Sequence, residues 1–214
     1  MTNLPNLLSA SRIVLAALLI ALLFLPVPFG ATAALLVFIA AGVTDAMDGR
    51  LARAIYGPTP LGALLDPLAD KILTSAAFVC FVEIRAPGAN RPLMPAWIVV
   101  LILAREFLVT GLRALGERSG RSIPAGAWGK HKTAWQMAAI GLTLAGWAAV
   151  RDWLPRWAPD RAAGFERFFS TGVYTMALAV AAITVASGVV YFRRHRGLLT
   201  DAPNSASGAS NREN

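Results

Sequence analysis

Four aspartates interrupt two stretches of sequence that are otherwise strongly apolar. Asp45 and Asp48 lie near the end of one stretch, and Asp66 and Asp70 lie near the start of the next. The first pair is spaced i, i+3 and the second i, i+4, so each pair would share one face of a helix. A short Gly/Pro turn separates the two stretches. The two acidic faces can therefore converge.

Four carboxylates in one apolar pocket need protons or cations to offset their repulsion. Crowding and desolvation disfavour the ionised carboxylates unless positive charge is present. Hard divalent cations prefer oxygen ligands, so Mg²⁺ or Mn²⁺ suits this set of side chains. Ionisable groups inside apolar spans are costly and indicate function by default. The spacing therefore predicts a divalent-metal site.

Small and basic residues between the acids favour a substrate that carries phosphates. Gly49 and Gly62 remove side-chain bulk close to the acids, Ala52 lies one turn further along, and Arg53 supplies a fixed cation suited to a phosphate. The alternative is structural, with glycines in helix packing and Arg53 reaching the membrane interface. Packing alone does not call for four carboxylates in a membrane.

The elements that position these residues are predicted to be membrane-spanning helices. The chain has 214 residues, of which 56% are hydrophobic and 15% charged, whereas soluble domains carry about 25% charged residues. Six apolar stretches approach the roughly 20 residues that cross a bilayer, namely residues 8–25, 33–53, 61–83, 93–115, 133–150 and 171–192. We expect a polar hairpin near 121–129, and an amphipathic or irregular connector over 154–169.

These stretches predict the fold class and the domain organisation. The fold is expected to be all-α, a polytopic membrane protein with six transmembrane helices. Residues 1–199 would form one catalytic domain, and the Ser/Asn/Gly-rich residues 200–214 a disordered cytoplasmic tail. The single cysteine, Cys80, excludes an internal disulfide and is expected to be a packed bystander.

The basic balance of the chain indicates membrane orientation. With 20 Lys and Arg against 12 Asp and Glu, the net charge is +8. These cations are spread between the apolar stretches and do not form one patch. We therefore expect no nucleic-acid partner, and we expect contact with anionic membrane lipids. An inside N-terminus leaves 11 cations in the inner segments and 6 in the outer ones. Both termini are therefore predicted to be cytoplasmic.

The two acidic stretches together carry a pattern that matches the signature of the CDP-alcohol phosphotransferase family without departure. The pattern is Asp45-x2-Asp48-Gly49-x2-Ala52-Arg53-x8-Gly62-x3-Asp66-x3-Asp70, with eight fixed positions over 26 residues. The resemblance covers most of the chain, because that family is also built of six transmembrane helices, usually as homodimers. Its members displace CMP from a CDP-linked alcohol with a second alcohol.

The resemblance implies a role for each signature residue. Asp45, Asp48 and Asp66 would bind two divalent ions, Mg²⁺ or Mn²⁺, with Asp70 near the second ion. Asp70 would also be the general base that takes the proton from the acceptor hydroxyl. The implied CDP-diacylglycerol contacts are Asn6, Gly49, Ala52, Arg53, Thr59 and Gly62.

Three further segments resemble the branch of the family that uses one particular acceptor. Residues 3–12, 104–113 and 129–136 look like enzymes that transfer the phosphatidyl group from CDP-diacylglycerol to sn-glycerol 3-phosphate, giving phosphatidylglycerol phosphate and CMP. An anionic acceptor needs cations of its own. The candidates for its phosphate are Arg113, Lys130 and Lys132, for which positive-inside topology is the alternative explanation.

Two ionisable residues inside the fourth stretch have two open interpretations. Arg105 and Glu106 either pair with each other or join the acceptor pocket. His131 and His195 lie beside cations in loops, and we expect no role for either. The resemblance places the protein in a bacterial cytoplasmic membrane, with the active site facing the cytoplasm.

Two other functions fit parts of the sequence. Within the same family, the acceptor could be inositol phosphate, serine, or phosphatidylglycerol for cardiolipin synthesis. Outside it, a cation or proton transporter would account for carboxylates in a membrane. A transporter leaves the glycines, the arginine and their spacing unexplained.

Overall fold

A computed structural model gives the fold of the chain. It describes the backbone of residues 4–56, 60–118 and 127–195, and the side chains of residues 11–44, 71–112, 134–191 and 193. Within these residues there is no β-strand, only an isolated bridge between Arg85 and Pro92. The helices in chain order are α1 (Leu4–Phe24), α2 (Gly30–Tyr56), α3 (Pro60–Glu83), α4 (Ala96–Arg118), α5 (Ala127–Ala148), a π-helical turn (Ala149–Trp153), α6 (Leu154–Trp157) and α7 (Pro159–His195).

The predicted all-α class is confirmed, and each of the six apolar stretches coincides with one long helix. Only Pro159–Tyr191, among the described residues, is a helix both long and apolar enough to cross a membrane by length and composition. Ser11–Phe24 and Gly30–Thr44 are shorter apolar helices. The predicted polar hairpin lies largely outside the described residues, and the predicted disordered tail lies wholly outside them.

Helix α3 packs against several of the other helices. It contacts α1, α4 and α5, while α2 packs on α1 and α5, and α7 covers α4 and α5. Phe78 and Phe81 of α3 are fully buried, together with Leu19 of α1, Ile102 of α4 and Ile140 of α5. These side chains belong to one continuous hydrophobic cluster. Helix α3 carries Gly62, Asp66 and Asp70 in its first half. It is thus held in place by packing on several sides.

One end of the bundle is closed by the connection between α3 and α4. A hydrogen bond from Ala89 N to the Ala86 carbonyl, 3.1 Å long, closes a tight turn. Gly88 has a φ of +67° there, a left-handed conformation that glycine adopts without a side-chain clash. The Ser170 hydroxyl of α7 donates to the Pro87 carbonyl at 2.8 Å. We call this end of the bundle, which carries the α3–α4 connection, the hairpin end; the name does not refer to the polar hairpin predicted near 121–129.

A buried carboxylate joins two more helices at the hairpin end. Asp152, in the π-helical turn after α5, accepts hydrogen bonds from the Thr32 backbone N–H and hydroxyl, both at 2.7 Å. Thr32 lies in the first turn of α2, where free N–H groups favour a negative charge. Trp153 Nε1 donates to the same hydroxyl at 3.0 Å. The start of α2 is therefore anchored to the end of α5.

Of the two alternatives predicted for 154–169, an amphipathic or an irregular connector, the irregular one is wrong, because α6 covers Leu154–Trp157 and α7 begins at Pro159. Pro159 opens the helix and Asp160 lies in its first turn, and both residues favour a helix start. Phe165 and Phe169 lie one turn apart, with parallel rings whose centroids are 6.4 Å apart. Phe169 is part of the buried cluster, so packing stabilises this segment as helix.

Candidate functional site

The four signature aspartates lie on two consecutive helices. Asp45 and Asp48 are in the second half of α2, and Asp66 and Asp70 are in the first half of α3. Helical geometry at these spacings gives each pair a common face, as the sequence predicts. Their side chains lie outside the described residues, so the convergence of the two faces remains a prediction.

The other predicted contacts occupy several helices. Gly49, Ala52 and Arg53 follow on α2 and Gly62 on α3, whereas Thr59 lies outside the described residues. Asn6 is in the first turn of α1, Arg113 is near the end of α4, and Lys130 and Lys132 are near the start of α5. For all of these, the structure gives the backbone position only.

The structure describes a partly buried polar group close to these positions. The carboxylate of Glu106, on α4, lies between a cation on α3 and an amide on α5. Lys71 Nζ is 3.4 Å from Glu106 Oε2, and Gln136 Nε2 donates to Glu106 Oε1 at 3.4 Å. The Lys71 and Glu106 side chains are 18% and 19% exposed, and Gln136 is 6% exposed. Three helices are thus joined through one carboxylate.

Residues of α7 and α2 lie in the same cross-section of the bundle as Glu106. Arg105 NH1 is 3.5 Å from Glu106 Oε1, and a Cβ added at Gly188 of α7 would lie 3.3 Å from the Arg105 Cγ. On the other side of α5, a Cβ added at Gly42 of α2 would lie 3.2 Å from the Met137 Cε. We call this cross-section the Glu106 layer, which consists of Gly42, Lys71, Arg105, Glu106, Gln136, Met137 and Gly188.

On α2, α3, α4 and α5, the predicted site residues that the structure describes lie on the side of the Glu106 layer away from the hairpin end. Asp45 lies three residues past the layer on α2, Asp70 one residue before it on α3, and Lys132 four residues before it on α5. Arg113 lies seven residues past it on α4. At about 1.5 Å per residue, these positions fall within roughly 10 Å of the layer along the helix axes. We call this end of the bundle the site end.

The chemistry of the donor set fits a hard divalent cation. Four carboxylates, near the end of α2 and the start of α3, are oxygen ligands of the kind that Mg²⁺ and Mn²⁺ prefer. Among the side chains that the structure describes, no group of three or more His, Cys, Asp or Glu could hold a metal ion. The four aspartates are not among those side chains.

The two alternatives for Arg105 and Glu106 are resolved in part. They do pair with each other, at 3.5 Å, but Glu106 also reaches across to α3 and α5. Lys71 was not among the predicted site residues. The signal was available, because a lysine inside an apolar span and next to Asp70 is a costly group that needs a partner.

Comparison with known proteins identifies the class to which this arrangement belongs. A family model described as CDP-alcohol phosphatidyltransferase matches residues 2–190, which is most of the 214-residue chain. The chain therefore belongs to the CDP-alcohol phosphatidyltransferase family.

Three similar proteins carry the name CDP-diacylglycerol–glycerol-3-phosphate 3-phosphatidyltransferase. The chain is 38% identical to the protein of this name from Pseudomonas fluorescens over 155 residues, 71% of this chain and 77% of that protein. Identity to the Bacillus subtilis (strain 168) protein is 36% over 156 residues, 67% and 77% of the two chains. Identity to the Escherichia coli (strain K12) protein is 36% over 181 residues, 81% and 89%.

Proposed function

We propose that this protein transfers the phosphatidyl group from CDP-diacylglycerol to sn-glycerol 3-phosphate, giving phosphatidylglycerol phosphate and CMP. The observation that carries the proposal is the similarity to relatives named for this reaction, which extends over 81% of the chain for the Escherichia coli protein. The unbroken signature on α2 and α3 supports it, as does the location of the predicted site residues of α2, α3, α4 and α5 in the parts of those helices nearest the site end.

Divalent metal ions are part of the proposal. The carboxylate donor set fits Mg²⁺ or Mn²⁺, with two ions held by Asp45, Asp48 and Asp66, and with Asp70 near the second ion. When bound, such ions offset the negative charge of the pyrophosphate and of departing CMP. Family membership is consistent with divalent-metal dependence.

The residues of the chain itself would carry out the remaining steps. Asp70 accepts the proton of the acceptor hydroxyl, as a positioned general base. The freed oxygen attacks the phosphorus that bears the diacylglycerol, and the bond from that phosphorus to the CMP oxygen breaks. CMP leaves with the electron pair, and the lipid keeps its phosphate in the new ester.

Binding of the two substrates is assigned to separate groups of residues. The nucleotide-lipid would contact Asn6, Gly49, Ala52, Arg53, Thr59 and Gly62. The phosphate of glycerol 3-phosphate would bind the cations Arg113, Lys130 and Lys132, because a dianionic acceptor needs positive charge separate from that which holds the pyrophosphate.

The proposal extends to the membrane arrangement. We infer six membrane-spanning helices, with α5 continuing into the π-helical turn and α7 as the last span. The protein would lie in the bacterial cytoplasmic membrane, with its site end facing the cytoplasm, and act as a homodimer. Residues 1–199 would form the catalytic domain, and residues 200–214 the disordered tail.

The test is a CMP-release assay on the purified protein in detergent or lipid nanodiscs. CDP-diacylglycerol, Mg²⁺ or Mn²⁺, and one acceptor are supplied, the acceptors being glycerol 3-phosphate, inositol phosphate, serine and phosphatidylglycerol. We expect CMP release with glycerol 3-phosphate and its loss when EDTA removes the metal. Release with another acceptor but not with glycerol 3-phosphate would overturn the assignment.

Asp70→Asn is the variant that tests the general base. The amide keeps the shape but cannot take the proton, so we expect CMP release to fall by about 10²- to 10⁴-fold. Asp160→Asn is the matched control, because Asp160 is exposed in the first turn of α7 and should leave the rate unchanged. Full activity in Asp70→Asn would contradict its role as the base.

A further inference from the structure

The Glu106 carboxylate makes contacts that join three helices inside the bundle. Its two oxygens lie 3.4 Å from Lys71 Nζ of α3 and 3.4 Å from Gln136 Nε2 of α5. All three side chains are mostly buried. In apolar surroundings a charge has few alternative partners and is weakly screened, so losing a partner costs more than it would at a surface.

Both donors lie next to residues of the proposed site. Lys71 directly follows Asp70, the proposed base. Gln136 lies one turn from Lys132, one of the proposed cations for the acceptor phosphate. The contacts of Glu106 therefore connect the helix of the base to a helix that binds the acceptor.

A third contact holds the Glu106 carboxylate in place from within α4. Arg105 NH1 lies 3.5 Å from Glu106 Oε1, and the Arg105 stem packs close to the Cα of Gly188 on α7. Rotation of α4 about its axis would change the position of Glu106 relative to both of its donors. Packing against α7 opposes that rotation.

We propose that Glu106 is a positioning residue for the acceptor half of the reaction. It holds α3 and α5 at a fixed offset, so that the hydroxyl of glycerol 3-phosphate meets Asp70 while its phosphate rests on the cations of α4 and α5. The proposal rests on the function proposed above. Errors of about 1 Å in such an alignment cost up to about 10²-fold in rate.

The experiment compares Glu106→Gln with the parent protein in steady-state kinetics. Glutamine keeps the size of the side chain but removes the negative charge beside Lys71 and Arg105. We expect kcat/KM for glycerol 3-phosphate to fall about 10- to 100-fold, with a raised KM for this substrate. The KM for CDP-diacylglycerol should stay within about twofold of the parent value, because none of its proposed contacts lies on α4 or α5.

A second variant keeps the test decisive if the loss of charge prevents folding. Gln136→Leu removes the contact with α5 without changing any charge, and should raise the KM for glycerol 3-phosphate by about tenfold, as expected for a lost hydrogen bond to a charged group. Glu83→Gln is the matched control for the acid, because Glu83 is exposed at the hairpin end of α3. It should behave as the parent protein.

The pairing with Lys71 gives an independent readout. If the two side chains act together, the double variant Glu106→Gln, Lys71→Met should lose no more activity than the more damaging of the two single variants. Lys71→Arg keeps the cation and should retain most of the activity. Rates are normalised to folded, monodisperse protein.

The outcomes separate this inference from the proposed function. If the parent protein releases no CMP with glycerol 3-phosphate, the proposed function is wrong. If it does, the inference is overturned when Glu106→Gln and Gln136→Leu both match the Glu83→Gln control. It is also overturned if the KM for CDP-diacylglycerol rises as much as the KM for glycerol 3-phosphate, or if the Lys71 and Glu106 losses simply add.

Discussion

Asp152 is a buried carboxylate at the hairpin end, whereas Glu106, near the site end, is partly buried. Asp152 is 5% exposed and accepts two hydrogen bonds from Thr32, both 2.7 Å long. Its backbone carbonyl also accepts a bond from Arg156 NH1 at 2.6 Å. The residue supplies a helix cap from a distant part of the chain, since a carboxylate near the first turn of α2 satisfies free N–H groups there.

Removing this cap should lower stability without direct damage to the chemistry. We expect Asp152→Ala to cost about 1–2 kcal/mol of stability, the usual cost of losing an N-cap side chain. Asp152→Asn keeps an acceptor and should cost less. Thermal unfolding of the purified variants in detergent measures both. Equal unfolding temperatures for Asp152→Ala and the parent protein would contradict the capping role.

At the scale of the helices, glycines decide how closely neighbours approach. A Cβ added at Gly146 of α5 would overlap the ring of Phe169 on α7, whereas nothing lies within 4 Å of a Cβ added at Gly172. Phe169 belongs to the buried cluster, so its ring cannot move without disturbing its neighbours. The contact between α5 and α7 thus depends on the absence of a side chain at Gly146.

Two alanine substitutions should have opposite effects on stability. We expect Gly146→Ala to destabilise the protein by about 1–3 kcal/mol, because it overpacks the α5–α7 contact. Gly172→Ala is the matched control in an open position and should be neutral or stabilising by up to about 1 kcal/mol, through the higher helix propensity of alanine. Unfolding temperatures give the comparison, and a Gly146→Ala variant as stable as Gly172→Ala would refute the packing argument.

At the scale of the whole molecule, the two ends of the bundle differ in chemistry. The hairpin end carries the α3–α4 connection and the Asp152 cap. The site end carries the signature helices and the proposed acceptor cations. Since cations concentrate on the cytoplasmic side of membrane proteins, the site end should face the cytoplasm.

Labelling of single cysteines in intact cells tests this orientation. Asn90, in the α3–α4 connection, and Arg193, near the end of α7, are both exposed. We expect a membrane-impermeant maleimide to label Asn90→Cys in intact cells, and Arg193→Cys only after permeabilisation. The parent protein is the control, because Cys80 is buried and should stay unlabelled. The reverse pattern would show that the site end faces outward.

Much of the fold was predictable because helix formation here is a local property. Six long helices were predicted, and each was found. The prediction came from the apolar stretches, the Pro and Gly residues between them, and the spacing of the acids. The start of α7 at Pro159 was not predicted, because the alternating charges of residues 154–169 indicated an amphipathic or irregular connector. Its helical state depends on burial of Phe169 against Gly146, a contact with another helix that no local pattern reports.

The sequence by itself determined the signature aspartates, their helices and their faces, because those features depend on spacing along one chain segment. Only the tertiary structure decided which side chains Glu106 contacts. Its partners Lys71 and Gln136 lie 35 and 30 residues away, just as Asp152 and Thr32 are separated by 120. Contacts of this kind depend on which helix faces meet and at what offset. That offset is set by packing of the whole bundle.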